Sequence, residues 1–225
     1  MTETRTESGT ETRTETGVLP TRSIALHDAP APLAPGDLAA RFAGGLSFEA
    51  MLADAEMNVE LYRNFRSRTE VPEEYVARIA ATGRRWHLLV ISEDWCGDSV
   101  NIVPWVDALA AASPATEMRL IGRDANADLM DLHLTNGRSR AIPIVLVLDD
   151  AFVERGWWGP RPGPLQEWFL SEEAQRMAKP ERYRELRIRY ARDRGRTTME
   201  EIVQLIEQAA AQDASAPSPT ESAAS

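Results

Sequence analysis

The only cysteine of the chain lies in Ser92-Glu93-Asp94-Trp95-Cys96-Gly97-Asp98-Ser99-Val100, with a hydroxyl three residues after the sulfur. A thiolate attacks disulfides, and a second cysteine at the position of Ser99 would let the chain clear its own mixed disulfide. Serine cannot form that bond. Cys96 is therefore limited to a cycle closed by an outside thiol, to a lasting mixed disulfide, or to oxidation as a sensor. The Ser99 hydroxyl can still donate a hydrogen bond to the Cys96 sulfur. The three histidines, His27, His87 and His133, have no partners in metal-ligand spacing, so neither a metal nor a cofactor is expected. A peroxide-reducing thiol is the weaker idea, because no Pro-x-x-x-Thr-x-x-Cys pattern surrounds Cys96 and Glu93 stands three residues before it.

The elements on either side should set how that thiol behaves. "WHLLVIS", Trp86 to Ser92, is a short apolar run of the kind that forms a central strand covered on both faces. Beyond it, Ile102, Val106, Leu109 and Ala110 recur with helical spacing, which puts Cys96 between a strand end and a helix N-terminus. Free N–H groups and the helix dipole favour a thiolate there by roughly 0.3–2 kcal/mol. Glu93, Asp94 and Asp98 oppose it, since a carboxylate about 6 Å away costs on the order of 1–3 kcal/mol. A moderately reactive thiol follows, with Arg123, Arg138 or Arg140 as the compensating cations.

Around this centre the pattern predicts one helix capped by Ser47, with Phe48, Met51, Leu52, Ala55, Val59, Tyr62 and Phe65 on its buried face, then a helix over 72–81. After the cysteine come a strand at 118–122, a short helix near 127–134, and a hairpin of "IVLVLD" (144–149) and "FVERGWW" (152–158) joined at Asp150-Ala151. Two or three helices close the domain. The eight-residue near-repeat TETRTESG/TETRTETG, a Pro/Ala-rich linker and the terminal QDASAPSPTESAAS offer little to bury, so residues 1–35 and 212–225 are read as disordered and 36–211 as the one folded domain. The net charge of −10 argues against general nucleic-acid or anionic-membrane binding. With no signal-like start, no run near the ~20 apolar residues of a membrane span and one lone cysteine, a reducing cytoplasm is the expected location.

Several separated positions resemble the thioredoxin family. Trp95-Cys96-Gly97-x-Ser99 matches its Trp-Cys-Gly-x-Cys signature except at the last residue. Pro104, eight residues after Cys96, stands where the family has a helix-kinking proline, and Ala141-Ile142-Pro143 before "IVLVLD" is similar to its cis-proline segment. Together "EDWCGD", "GRD", "LTNG" and "WGPRP" look like a little-characterised bacterial branch with "WCGD" at the active site. The resemblance covers roughly Phe48 to Arg161. It implies an α/β, thioredoxin-like three-layer fold: a central mixed β-sheet flanked by helices, here with extra N-terminal helices. Two departures point away from dithiol chemistry, since Val90 replaces the family's buried aspartate and Ser99 its resolving cysteine.

The resemblance implies Cys96 and Ser99 as the catalytic pair, with Trp95, Gly97, Asp98, Ile142 and Pro143 binding substrate. The implied partners are protein disulfides or thiols and a low-molecular-weight thiol that resolves the adduct. The alternative is a redox-inactive thioredoxin-fold binding module, in which Cys96 is a small buried hydrophobe. Asp98 either complements the helix dipole or tunes Cys96, while Trp157, Trp158, His87 and His133 read as structural. Lys179 to Arg196 holds eight basic and three acidic residues, a face expected to pair with Glu181, Glu185 and acidic neighbours.

Overall fold

Trp86–Ser92 forms β1, whose interior residues, Leu88 to Ile91, are all inaccessible to solvent, so both faces of this strand must be covered. The computed structural model describes residues 33–214. Most of the two expected tails lies outside the described residues. Before β1 come α1 (Pro35–Gly44), α2 (Phe48–Asp54), α3 (Val59–Ser67) and α4 (Glu73–Ala81); after it come α5 (Gly97–Ala112), β2 (Thr116–Gly122), α6 (Ala127–Leu132), β3 (Ile144–Leu148) and β4 (Glu154–Trp158). Four helices close the chain rather than the two or three expected: α7 (Gly163–Leu170), α8 (Glu172–Arg176), α9 (Lys179–Asp193) and α10 (Arg196–Ala214).

The sheet runs β2-β1-β3-β4, with β1 parallel to β2 and antiparallel to β3, and β3 antiparallel to β4. Alternation along the strands feeds two cores. Leu88, Val90, Val145, Val147 and Trp158 meet α3, α4, α5, α7, α9 and α10 on one face; Leu89, Ile91, Ile144 and Leu146 meet Leu38 and Phe42 of α1 and Leu129 and Met130 of α6 on the other. This is an α/β, three-layer arrangement of helices, mixed sheet and helices, as the thioredoxin resemblance implied.

Three local readings need correction. The single helix expected from Ser47 to Phe65 is two: α2, capped by Ser47 accepting from Ala50 N, and α3, separated by a loop in which Asn58 is left-handed at φ 59°. The apolar spacing runs on across this break because both helices press the same face inward. The second strand of the hairpin starts later than Phe152, which has φ 59° and is part of the turn. Buried Asp149 organises that turn, accepting from Ala151 N, Val153 N and Arg155 Nε at 2.8, 2.9 and 2.7 Å; burial alone would raise its carboxyl, but these donors hold it below the ordinary value. Finally, α1 forms at the start of the expected domain, ahead of the first helix the pattern predicts, and tucks Leu38 and Phe42 under the sheet.

On the α6 side of the sheet His133 is 3% exposed and bonded at both ring nitrogens, Nδ1 to Leu129 O and Nε2 to Glu154 Oε1, each at 2.8 Å. Leu129 O can only accept, so Nδ1 donates to it, and Nε2 donates to Glu154 when the ring is protonated. Burial pulls its pKa down, but the bond to Glu154 and that carboxylate's charge more than offset it, and the net shift is upward. His87 bonds Asp149 O through Nδ1 and stacks on Phe152 at 4.3 Å. Trp157 packs on the His133 side, while Trp158 lies on the opposite face with Nε1 donating to Glu201.

Candidate functional site

Cys96 is the N-cap of α5, directly past the end of β1, with φ −78° and ψ 116°. Its N–H donates to Glu93 O at 3.2 Å and its carbonyl accepts from Val100 N at 3.1 Å, which begins the helix. The thiol is 8% exposed and donates to Ile142 O at 3.4 Å. The next peptide bond, Ile142–Pro143, is cis. Two segments 46 residues apart are thereby closed against one sulfur. Trp95 is 45% exposed and Gly97 is exposed, so the backbone on both sides of Cys96 reaches the surface while the sulfur sits just beneath it. Ser99 is fully buried in the first turn of α5, and its Oγ makes no hydrogen bond of ordinary geometry.

Asp98 does not line that surface. It is 8% exposed, with Oδ2 accepting from Arg161 Nη2 at 2.5 Å and Oδ1 from the Tyr190 hydroxyl at 2.9 Å, both partners buried. Arg161 also donates from Nη1 to Gln166 at 2.9 Å and lies 4.0 Å over the Phe169 ring. Burial works against the Arg161 charge and Asp98 more than restores it; burial, then Asp98, pushes the Tyr190 phenol well above its ordinary value. The cation facing Asp98 is therefore Arg161, which sequence reasoning did not name. Of the three arginines it did name, Arg140 pairs with Asp131, Arg123 lies 4.9 Å over the Trp95 ring and within electrostatic reach of Cys96, and Arg138 makes no ion pair among the described residues.

Arg161 is brought in by a tight approach of two strand ends. Gly159 has φ 137°, and a Cβ there would stand 2.4 Å from Pro143 O, so only glycine lets the turn after β4 lie against the segment before β3. The Gly159–Pro160 bond is also cis. A third buried hydroxyl, Tyr62 on α3, donates to Glu93 O at 3.4 Å; burial raises its phenol well above the ordinary value, and Cys96 and Asp94 add to the shift. Cys96 is thus flanked by two phenols that stay protonated, Tyr62 and Tyr190.

Glu93 and Asp94 are not free charges beside the thiol. Glu93 Oε1 accepts from Arg123 N at 2.7 Å and Asp124 N at 3.3 Å, while Asp94 Oδ2 accepts from Glu56 N at 2.8 Å and Met57 N at 2.9 Å. The one legible hint of these roles was the pair of carboxylates itself. Nothing local marks which loops they hold. Among the described residues no group of three His, Cys, Asp or Glu side chains gathers to hold a metal, and no helix is long and apolar enough to cross a membrane.

Comparison with known proteins agrees with this geometry. The crystal structure of a protein of unknown function from Pseudomonas aeruginosa is 24% identical over 79% of this chain and 99% of its own, with a TM-score of 0.63. An HIV epitope scaffold is 22% identical over 76% of this chain and 97% of its own, at 0.59. Both likenesses are of fold. No curated protein matches the sequence. The sequence model described as thioredoxin matches residues 45–181, which takes in α2 through the start of α9 and every residue of the Cys96 site except Tyr190. A match over more than half the chain, on the fold that the strands and helices build, makes this chain a member of the thioredoxin family.

Proposed function

We propose that the chain carries out single-cysteine thiol–disulfide exchange through Cys96. The observation that carries the reading is the contact of Cys96 Sγ with Ile142 O, immediately before the cis Ile142–Pro143 bond, at the N-terminus of a 16-residue helix. In the first step the Cys96 thiolate attacks one sulfur of a substrate disulfide, forming a mixed disulfide and releasing the other sulfur as a thiolate. In the second, an external thiolate attacks the substrate's sulfur of that mixed disulfide, taking the substrate away as a new disulfide and returning Cys96 as thiolate. The Ser99 hydroxyl, buried beside the Tyr62 phenol, supplies a hydrogen bond to the anionic sulfur. Exposed Trp95 and Gly97 form the surface on which an extended substrate segment lies, with the buried Ile142 and Pro143 directly under it, whereas Asp98 acts from beneath by fixing the helix start. Glutathione or an equivalent small thiol in a reducing cytoplasm is the resolving partner.

Intact mass tests this directly. Exposure to oxidised glutathione gives one adduct on the wild type that excess reduced thiol removes, and none on Cys96→Ser. A wild type that forms no adduct would overturn the reading. The 8% exposure of Cys96 favours a second reading in that event, a redox-inactive thioredoxin-fold module that binds partners along the same surface.

A further inference from the structure

The segment before the cysteine holds a neighbouring loop in place, and that loop carries an apolar side chain out to solvent. Asp94 Oδ2 accepts from the consecutive N–H groups of Glu56 and Met57, and Asn58 Nδ2 donates to Asp94 O at 2.8 Å. Asn58 takes the left-handed conformation that turns the chain into α3, a conformation asparagine tolerates better than most residues. Three hydrogen bonds therefore fix residues 56–58 against the residue next to Trp95. Met57 is nevertheless 51% exposed and Trp95 45% exposed. A large apolar side chain left in water on a loop without such ties needs no explanation; one on a loop bonded this way to Asp94, two residues before the sulfur, is a prepared contact.

The charge around Met57 has one sign. Asp54, Glu56 and Glu60 are exposed; Asp54 and Glu56 make no ion pair among the described residues, and Arg63, on the helix that follows, is held by Glu60. At Trp95 itself, the Arg123 guanidinium is engaged by Asp124 at 2.8 Å and by the indole ring. The free surface on the Met57 side is thus apolar and anionic.

We infer that the Met57 loop is a docking wall for polypeptide substrates, and that the disulfide handed to Cys96 comes from a segment carrying an apolar residue and a Lys or Arg beside its cysteine. This rests on the exchange reading and adds a substrate class to it. Asp94 is a positioning residue here, acting through Met57. Methionine suits such a wall because its flexible thioether adapts to different apolar partners.

The test uses the full chain and three peptides that differ only beside a cysteine activated as the 2-nitro-5-thiobenzoate disulfide: Leu-Arg, Leu-Glu and Ser-Ser. The release of 2-nitro-5-thiobenzoate gives the rate. The symmetrical aromatic disulfide of the same reagent serves as the small substrate. The Leu-Arg peptide reacts about tenfold faster than Ser-Ser, the scale of one good apolar or charged contact, with Leu-Glu slower than Leu-Arg. Met57→Ser removes most of that preference while moving the small-disulfide rate less than about twofold, Asp94→Ala lowers the ratio of the Leu-Arg to the Ser-Ser rate likewise, and Met57→Leu keeps it. Equal rates for the three peptides, or variants that slow the peptide and the small disulfide alike, overturn the docking wall and leave exchange standing. Failure of wild type with the small disulfide as well overturns exchange itself.

Discussion

Two buried polar clusters lie on opposite faces of the sheet, and each joins a residue that precedes the Ile142–Pro143 segment in the chain to residues that follow it. Asp98, Arg161 and Tyr190 occupy the face packed by α5 and α9; His133 and Glu154 occupy the face packed by α6. In the first, a carboxylate is met by a guanidinium and a phenol whose own titrations are driven away from neutrality, so the cation stays charged and the phenol stays a donor across the working pH range. In the second, the cation is an imidazole, which titrates near neutrality. The same device of a buried charge pair is permanent at one position and conditional at the other, and the identity of the cation decides which.

The largest effect should come from breaking the permanent cluster. Arg161→Met leaves Asp98 buried with one neutral donor, and a loss of about 3–5 kcal/mol in urea unfolding is expected, because an uncompensated buried charge is costly. Tyr190→Phe removes only the phenol donor to the carboxylate, and a smaller loss of about 1.5–3 kcal/mol should follow in the same assay. The conditional cluster is read through pH. His133 has its folded pKa raised, so its contribution is complete below the ordinary histidine value and is lost as pH rises through the folded one. Unfolding followed from about pH 6 to 9 should show a decline on the order of 1 kcal/mol that Glu154→Gln flattens. A wild-type profile without slope across that range would remove the contrast between the clusters. The smallest effect is expected at Ser99, whose buried hydroxyl has only a weak contact with the Tyr62 phenol: Ser99→Ala should leave stability within about 0.5 kcal/mol, yet slow adduct formation at Cys96.

The strands and the helix carrying Cys96 were legible because their apolar residues follow periods that burial imposes, as in Leu88 to Ile91 and Ile102 to Leu109. The break between α2 and α3 was not, since it is made by Asp94 accepting from residues 56 and 57, across 37 or more positions, while the apolar spacing continues through it. The role of Asp98 was hidden for the same reason: its partners stand 63 and 92 residues away, and Tyr190 looks in sequence like one more member of a helical stripe. The arginine-rich segment forms α9 as read, but the expected pairing is sparse. Arg189 meets Glu185, and Arg182 bonds Gln175 and lies over Phe169 instead of finding a carboxylate.

The thiol hydrogen directed at Ile142 O exists only while Cys96 is reduced and protonated. Once the sulfur is bonded to carbon or to another sulfur, that carbonyl, on a residue 4% exposed, loses its donor in a place where water replaces it poorly. Electrophiles that bring an N–H of their own refill it, and those without one do not. With each rate taken relative to that of free cysteine, iodoacetamide therefore gains on N-ethylmaleimide at Cys96: the pocket grades reagents by what they carry next to the reacting carbon.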